Sequence, residues 1–489
     1  MKGSGSLAIA LFMTVLTATA QHRHEYAVDV DARRQTVEGW GVSLCWWANM
    51  CGKWDEESID QLIDWMVSPD GLNWNIFRYN IGGGDDPEWT NCDVHHMGKG
   101  KGLRAEMEGF QDERGGPYRW ERDSAQRRIL LKIKEKRPDA IFEAFSNSPP
   151  WWMTVSGCAA GHQDARTDNL RTDCYEDFAR YLVDVCLHYR DTYGIEFKTL
   201  EPFIEPTTDY WYRSGSQEGC HFDATSQVAF LRVLAPILKE SGLRTIISAS
   251  DETCTKHSLA VLKEYLRSGA IDLIGQWNTH TYSADRDTRR KVGDLARNAG
   301  KEVWMSESGS GGRGIEGNLN MAQRLIDDMR DIRPSAWLDW QYVEEYGDQW
   351  CLVQGNFARG TYRKVKNFYV RQHFTRFIRQ GYHIVESRNG QSLAAINPEA
   401  DTLTVVLLGD KEPSTHHISL LGADVNGGIQ AWRTSETESM EPIGNVGITS
   451  DGIIEVGLPE RSITTLLIPL NATSKGSRQK SKTKRPTRH

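Results

Sequence analysis

The chain has 489 residues, with 58 Lys and Arg against 66 Asp and Glu, a formal net charge of −8 and 39% hydrophobic residues. This ordinary globular composition excludes whole-chain disorder and a collagen-like fibre. The acidic balance argues against a nucleic-acid partner, which requires Lys and Arg to neutralise phosphates.

From the N-terminus, the apolar run Leu7–Leu16 follows Lys2 and leads to Ala18-Thr19-Ala20, so residues 1–20 read as a cleaved signal peptide and the mature protein as exported. A bacterial source would place it in the periplasm or at the cell surface. No later stretch reaches the roughly 18 to 20 apolar residues of a membrane span. Tyr26–Asp31 alternates like a strand, and residues 22–37 are expected to join a β domain formed by the far end of the chain. Eight strand candidates follow: Val37–Ser43, Ile76–Tyr79, Ile141–Ser146, Phe197–Phe203, Thr245–Ala249, Leu273–Trp277, Glu302–Ser306 and Trp337–Tyr342. Helical periodicity fills the intervals, clearest in Phe178, Tyr181, Leu182, Val185 and Tyr189, which share one face and stop at Gly194. Leu231, Leu234 and Leu238 behave alike, as do Leu259, Leu262 and Leu266, and Leu325, Met329 and Ile332. Eight βα units over 38–380 predict a parallel (β/α)8 barrel.

Over 381–470 the pattern changes to strands without helices: Ser392–Ile396, Leu403–Leu408, His416–Leu420, Ile429–Trp432, Ile453–Val456 and Thr464–Ile468. This predicts an antiparallel β-sandwich whose last strand pairs with the N-terminal one. Residues 471–489 carry Lys475, Arg478, Lys480, Lys482, Lys484, Arg485 and Arg488 with no acidic residue, and read as a basic disordered tail. Asn471-Ala472-Thr473 is a formal glycosylation sequon. The nine cysteines are scattered, and no pairing follows from their spacing; Cys186 falls at an apolar helical position and reads as core packing.

In a parallel barrel, chemistry sits where strands end and βα loops begin. Those positions hold Arg78 and Asn80, Asn147 with Trp151 and Trp152, Glu205, His280 and Tyr282, Glu307, and Trp340 with Gln341. Glu205 and Glu307 end separate strands and can face one another across the mouth. Glycosidic bond cleavage needs such a pair: one carboxyl protonates the leaving oxygen, while the other attacks the anomeric carbon or activates water. Rival chemistries fail on spacing. Gly41-Val42-Ser43-Leu44-Cys45 lacks the final Gly of a nucleophile elbow, and neither glycine-rich stretch is followed by the Lys-Ser/Thr of a phosphate loop. Cys92, His95 and His96 lack a second ligand pair and read as an irregular loop, so a hydrolase without metal or organic cofactor is expected.

Gly39-Trp40-Gly41 with Ser43–Trp47, the Phe77–Asp86 stretch, Asn147–Met153, Glu205-Pro206, Gln217–Phe222, Ser306-Glu307 and Trp340-Gln341 together resemble glycoside hydrolase family 30, most closely its endo-β-1,6-galactanases. The resemblance spans roughly residues 25 to 470. It implies a retaining mechanism with Glu205 as acid/base and Glu307 as nucleophile, substrate-binding groups at Arg78, Asn147, His280, Tyr282 and Trp340, and a monomer acting on β-1,6-linked galactan such as arabinogalactan side chains. One position departs from the clan's pattern: Ile204 stands where an Asn usually hydrogen-bonds the sugar 2-hydroxyl. Two other readings therefore stay open: a family 30 enzyme for glucosyl, xylosyl or glucuronyl linkages, and a weakly active or inactive carbohydrate-binding relative.

Overall fold

The computed structural model describes residues 22–86, 107–345, 347–444 and 446–472. The signal segment, the Cys92, His95 and His96 loop and the basic tail beyond Ala472 lie outside them; Asn471 and Ala472, expected in the tail, instead end the last strand and pair with Ala423 and Asp424. Strand β1 (His22–Thr36) precedes eight parallel strands that close into a barrel: β2 (Gly39–Ser43), β3 (Ile76–Asn80), β4 (Ile141–Phe145), β5 (Thr199–Glu201), β6 (Ile246–Cys254), β7 (Gln276–Ser283), β8 (Glu302–Ser308) and β9 (Ala336–Asp339). The fold is thus the expected (β/α)8 barrel. Its closure demands small residues in β2. A Cβ on Gly41 would stand 1.7 Å from the Ile76 carbonyl oxygen, so any side chain there would push β2 off β3.

The helix Tyr175–Tyr193 shows how the outer ring is specified. Phe178, Tyr181, Leu182, Val185 and Tyr189 are all buried, and the helix ends on Gly194 in the left-handed region (φ 62°). Cys186 packs in the same core. The helix Thr255–Ser268 is less regular than its leucines suggest: Leu262 is buried, but Leu266 is exposed. No described helix is long and apolar enough to cross a membrane. Cys158 is disulfide-bonded, whereas Cys45, Cys51, Cys174, Cys186, Cys220, Cys254 and Cys351 are free thiols.

The β domain is one eleven-stranded, mostly antiparallel sheet. A single apolar cluster draws Val28, Val385, Val405, Ile418, Val456 and Ile468 from strands spread across the sheet's order, so the sheet curls over its own core as a sandwich. The N-terminal strand does join it, parallel to Ser414–Leu421 and antiparallel to His383–Ser387. It does not pair with the last strand, contrary to expectation. Both edges of Ile463–Ala472 are already taken, by Thr402–Leu408 and Gln430–Thr434, and three strands separate it from β1. Alternate residues of this sheet point away from the sandwich core. Ile384, Leu393, Ala395, Val406, Leu408 and Ile463 belong to the same apolar cluster as the barrel and its helices. The β domain is therefore buried on two faces, one of them against the barrel.

Candidate active site

The barrel strands carry a buried ion network to the C-terminal mouth. Arg78 on β3 is fully buried; its Nε donates to Glu143 Oε1 (2.6 Å), its Nη2 to Asp251 Oδ2 (2.5 Å), and its Nη1 lies 3.5 Å from Glu307 Oε2. Asp251, on the irregular end of β6, also accepts a hydrogen bond from the Ser306 hydroxyl. Burial opposes its charge, but Arg78 and His280 overcome this and hold its pKa well below the ordinary carboxylate range.

His280 on β7 stands between the two glutamates. Its Nδ1 is 3.0 Å from Glu205 Oε1 and 3.6 Å from Glu307 Oε1, and its Nε2 is 3.1 Å from Asp251 Oδ1. Burial disfavours the imidazolium, yet Glu307 and Asp251 outweigh burial and hold its pKa well above the ordinary value. His280 thus stands within reach of three carboxylates, Glu205, Asp251 and Glu307.

Glu205 follows the fourth barrel strand and takes a left-handed conformation (φ 46°), costly for a residue with a side chain. The surroundings hold it there: its N–H donates to the Asp251 carbonyl (2.9 Å), and its own carbonyl accepts from Thr208 Oγ1 (2.8 Å) and Trp211 Nε1 (3.0 Å). The Tyr210 hydroxyl donates to its Oε2. Glu307, in the seventh barrel strand, accepts from the Tyr282 hydroxyl (2.9 Å). Burial, with the charge of Glu205 adding to it and His280 and Arg78 opposing, pushes the Glu307 carboxyl up to about 7. One atom each from Glu205, His280 and Glu307 lie within 4.8 Å of one another. These three also form the single grouping of three potential metal ligands among the described residues. Arg78 and His280 already lie against these carboxylates, so a cation there would have to compete with both for the same oxygens.

Above this network opens a cavity of about 450 Å³. Asn147, Tyr282 and Trp340 lie in its wall with Glu205 and Glu307; Arg78 and His280 do not. Both are fully buried beneath it and reach the cavity only through the carboxylates they hold, not as lining groups as expected. Trp340 packs T-shaped on Trp46 (5.0 Å between centroids), and Asn147 is fixed by its N–H to Asn80 Oδ1 (3.3 Å). Ile204 also lines the cavity, in an apolar cluster with Cys45, Trp46, Met107 and Phe145. The described lining residues include Glu344 but no Lys or Arg.

Sequence reasoning missed Asp251, Glu143 and Tyr210. The signal for Asp251 was present in the Asp251-Glu252 pair just beyond the strand candidate Thr245–Ala249, but β6 runs on to Cys254 and carries both acids within it.

A (β/α)8 barrel with two adjacent carboxylates at its C-terminal mouth, set in an aromatic-walled cavity, has the architecture of an O-glycosyl hydrolase. Residues 24–295 match the model of O-Glycosyl hydrolase family 30. The chain belongs to that family. It is 30% identical over 414 residues to an endo-beta-1,6-galactanase of Hypocrea rufa, covering 82% of this chain and 83% of that protein. It is also 26% identical over 424 residues to an exo-beta-1,6-galactobiohydrolase of Bifidobacterium longum subsp. longum, covering 65% of this chain but 28% of that longer protein. Among solved structures, the catalytic domain of a GH30 xylanase C from Talaromyces cellulolyticus superposes with a TM-score of 0.71 at 18% identity, covering 91% of this chain and 100% of that one.

Proposed function

We propose that this enzyme is exported and cleaves β-1,6-linked galactan by a retaining, double-displacement mechanism. The observation that carries the chemistry is the approach of Glu205 and Glu307 to within 4.8 Å. A retaining pair sits about 5 to 5.5 Å apart, whereas an inverting pair needs about 6.5 to 9.5 Å to admit a water molecule.

In the first step Glu205 donates its proton to the glycosidic oxygen while a Glu307 carboxylate oxygen attacks the anomeric carbon. The C–O bond to the leaving sugar breaks and a glycosyl ester forms. In the second step Glu205, now ionised, takes a proton from water as that water attacks the same carbon and releases Glu307. Tyr282 and Arg78 hold Glu307 and favour its anion against the burial that pushes its carboxyl up to about 7. Asn147 and Trp340 lie in the cavity wall, placed to hold the sugar.

The galactan assignment is supported by the two relatives whose names specify β-1,6-galactan chemistry. The cavity's lack of a basic residue among its described lining fits a neutral sugar better than a glucuronyl unit. The test is a screen of purified protein against β-1,6-galactan, β-1,3-galactan, β-1,6-glucan and glucuronoxylan. Products from the first alone are expected; products from another polymer with none from the first would overturn the substrate assignment, and retention on galactan without products would mark a binding protein.

A further inference from the structure

The loop that follows Glu205 carries two exposed aromatic rings, Tyr210 (43% exposed) in the cavity wall and Tyr212 (44% exposed), whose carbonyl accepts from the N–H of the lining residue Gly215 (2.7 Å). Exposed large apolar side chains are few among the described residues, and these two flank one turn. The Tyr212 N–H donates to the Tyr210 carbonyl (3.0 Å), closing a three-residue turn around Trp211. Trp211 is 3% exposed and its indole N–H is tied to the Glu205 carbonyl, so the turn is anchored to the backbone of Glu205 itself. A Cβ on Gly219 would stand 2.0 Å from the Trp211 ring, which shows how closely the indole is seated. From outside, the 154–170 loop laces the turn in place: His162 N–H donates to the Trp211 carbonyl (3.1 Å) and Arg213 N–H to the His162 carbonyl (3.1 Å). With the central indole turned inward, the two partly exposed tyrosines flank it on a braced support. Tyr210 already belongs to the cavity wall and bonds the Glu205 carboxyl, so the two rings continue outward from the acid/base.

Resting on the function proposed above, we infer that Tyr210 and Tyr212 form a sugar-binding ridge on the leaving-group side of the cleavage point. The side follows from chemistry: the acid/base faces the oxygen that departs, so a surface extending from Glu205 meets the departing portion of the chain. The occupants are the neutral β-linked hexose units beyond the scissile bond, whose C–H faces stack on phenol rings. Each 1,6-linkage adds a rotatable bond to the substrate, and a braced platform offsets part of the entropy lost on binding such a chain. The ridge makes an internal bond of a long chain a better target than a terminal one.

The test compares wild-type, Tyr212→Ala and Tyr210→Phe proteins on linear β-1,6-galacto-oligosaccharides of increasing length and on an aryl β-galactoside, whose leaving group contains no sugar. Wild-type kcat/KM is expected to rise with length. Tyr212→Ala should lose roughly five- to tenfold on the longer substrates, mainly through KM, with its melting temperature and its aryl galactoside kinetics unchanged. Tyr210→Phe keeps the ring and should keep the length dependence, while loss of its hydroxyl from Glu205 should change the rate by the same factor on every substrate length. Unaltered kinetics of Tyr212→Ala on long substrates, or an equal loss on the aryl galactoside, would overturn the ridge. Absence of wild-type turnover on every substrate would instead overturn the proposed function beneath it.

Discussion

Ile204→Asn separates the inherited sugar-binding pose from a site rebuilt around an apolar wall. In the pose implied by the clan, an Asn before the acid/base bonds the sugar 2-hydroxyl, and installing it would raise kcat by about tenfold, or about 1.4 kcal/mol. The structure argues against that outcome. Ile204 is 4% exposed and packs with Cys45, Trp46, Met107, Phe145 and Trp340, none of which presents a side-chain carboxylate or amide to a new polar group. Removing the isoleucine forfeits roughly 1.5 kcal/mol or more of apolar burial, and an amide held against this apolar wall rather than turned to the cavity adds about 1 to 3 kcal/mol. A destabilisation of about 3 kcal/mol is expected in denaturant unfolding, with kcat on β-1,6-galacto-oligosaccharides lowered because Ile204 adjoins Glu205. An Asn variant of wild-type stability with a tenfold higher kcat would refute the reasoning.

The glutamates should divide their labour: Glu307→Gln should abolish turnover on every substrate, while Glu205→Gln should retain the glycosylation burst on an aryl galactoside whose leaving group needs no protonation. Equal loss of that burst would contradict the roles. The pH profile has a defined sign. Burial pushes the Glu307 carboxyl up to about 7, and a nucleophile must be ionised to attack the anomeric carbon. With an aryl galactoside whose leaving group needs no protonation, turnover should therefore fall as pH drops through about 7; a rate that stays constant from about pH 7 down to about pH 5 would contradict Glu307 as the ionised nucleophile. Truncation at Gly381 should give insoluble protein, because Leu393, Ala395, Val406 and Leu408 cover the barrel's apolar surface. A soluble, fully active truncated enzyme would show that this interface is dispensable.

Much of the architecture was legible in the sequence because its signals are local. Period-2 strands and one-sided helices such as Phe178 to Tyr189 report burial directly, and the rim rule placed Glu205 and Glu307 at strand ends before any geometry was known. The boundaries were less legible where tertiary contacts override propensity. Leu273 lies in a short 3-10 turn, and the sixth barrel strand, β7, starts at Gln276, so His280 and Tyr282 sit inside β7 rather than after it. The burial of Arg78 and His280 was invisible for a related reason. Which of a barrel's polar residues point at substrate, and which support those that do, depends on partners such as Asp251 and Glu143 that are distant in sequence. Likewise, the neighbour of a terminal β-strand is set by which edges remain free, and alternation along Thr464–Ile468 contains no record of that.

The most direct test of the two-glutamate account is the anomeric configuration of the first product. Proton NMR of wild-type enzyme acting on a β-1,6-galacto-oligosaccharide, followed before mutarotation, should show the β-anomer appearing first, because Glu205 and Glu307 stand too close for a water molecule to attack from between them. Initial release of the α-anomer would contradict the retaining mechanism and the role given to Glu307.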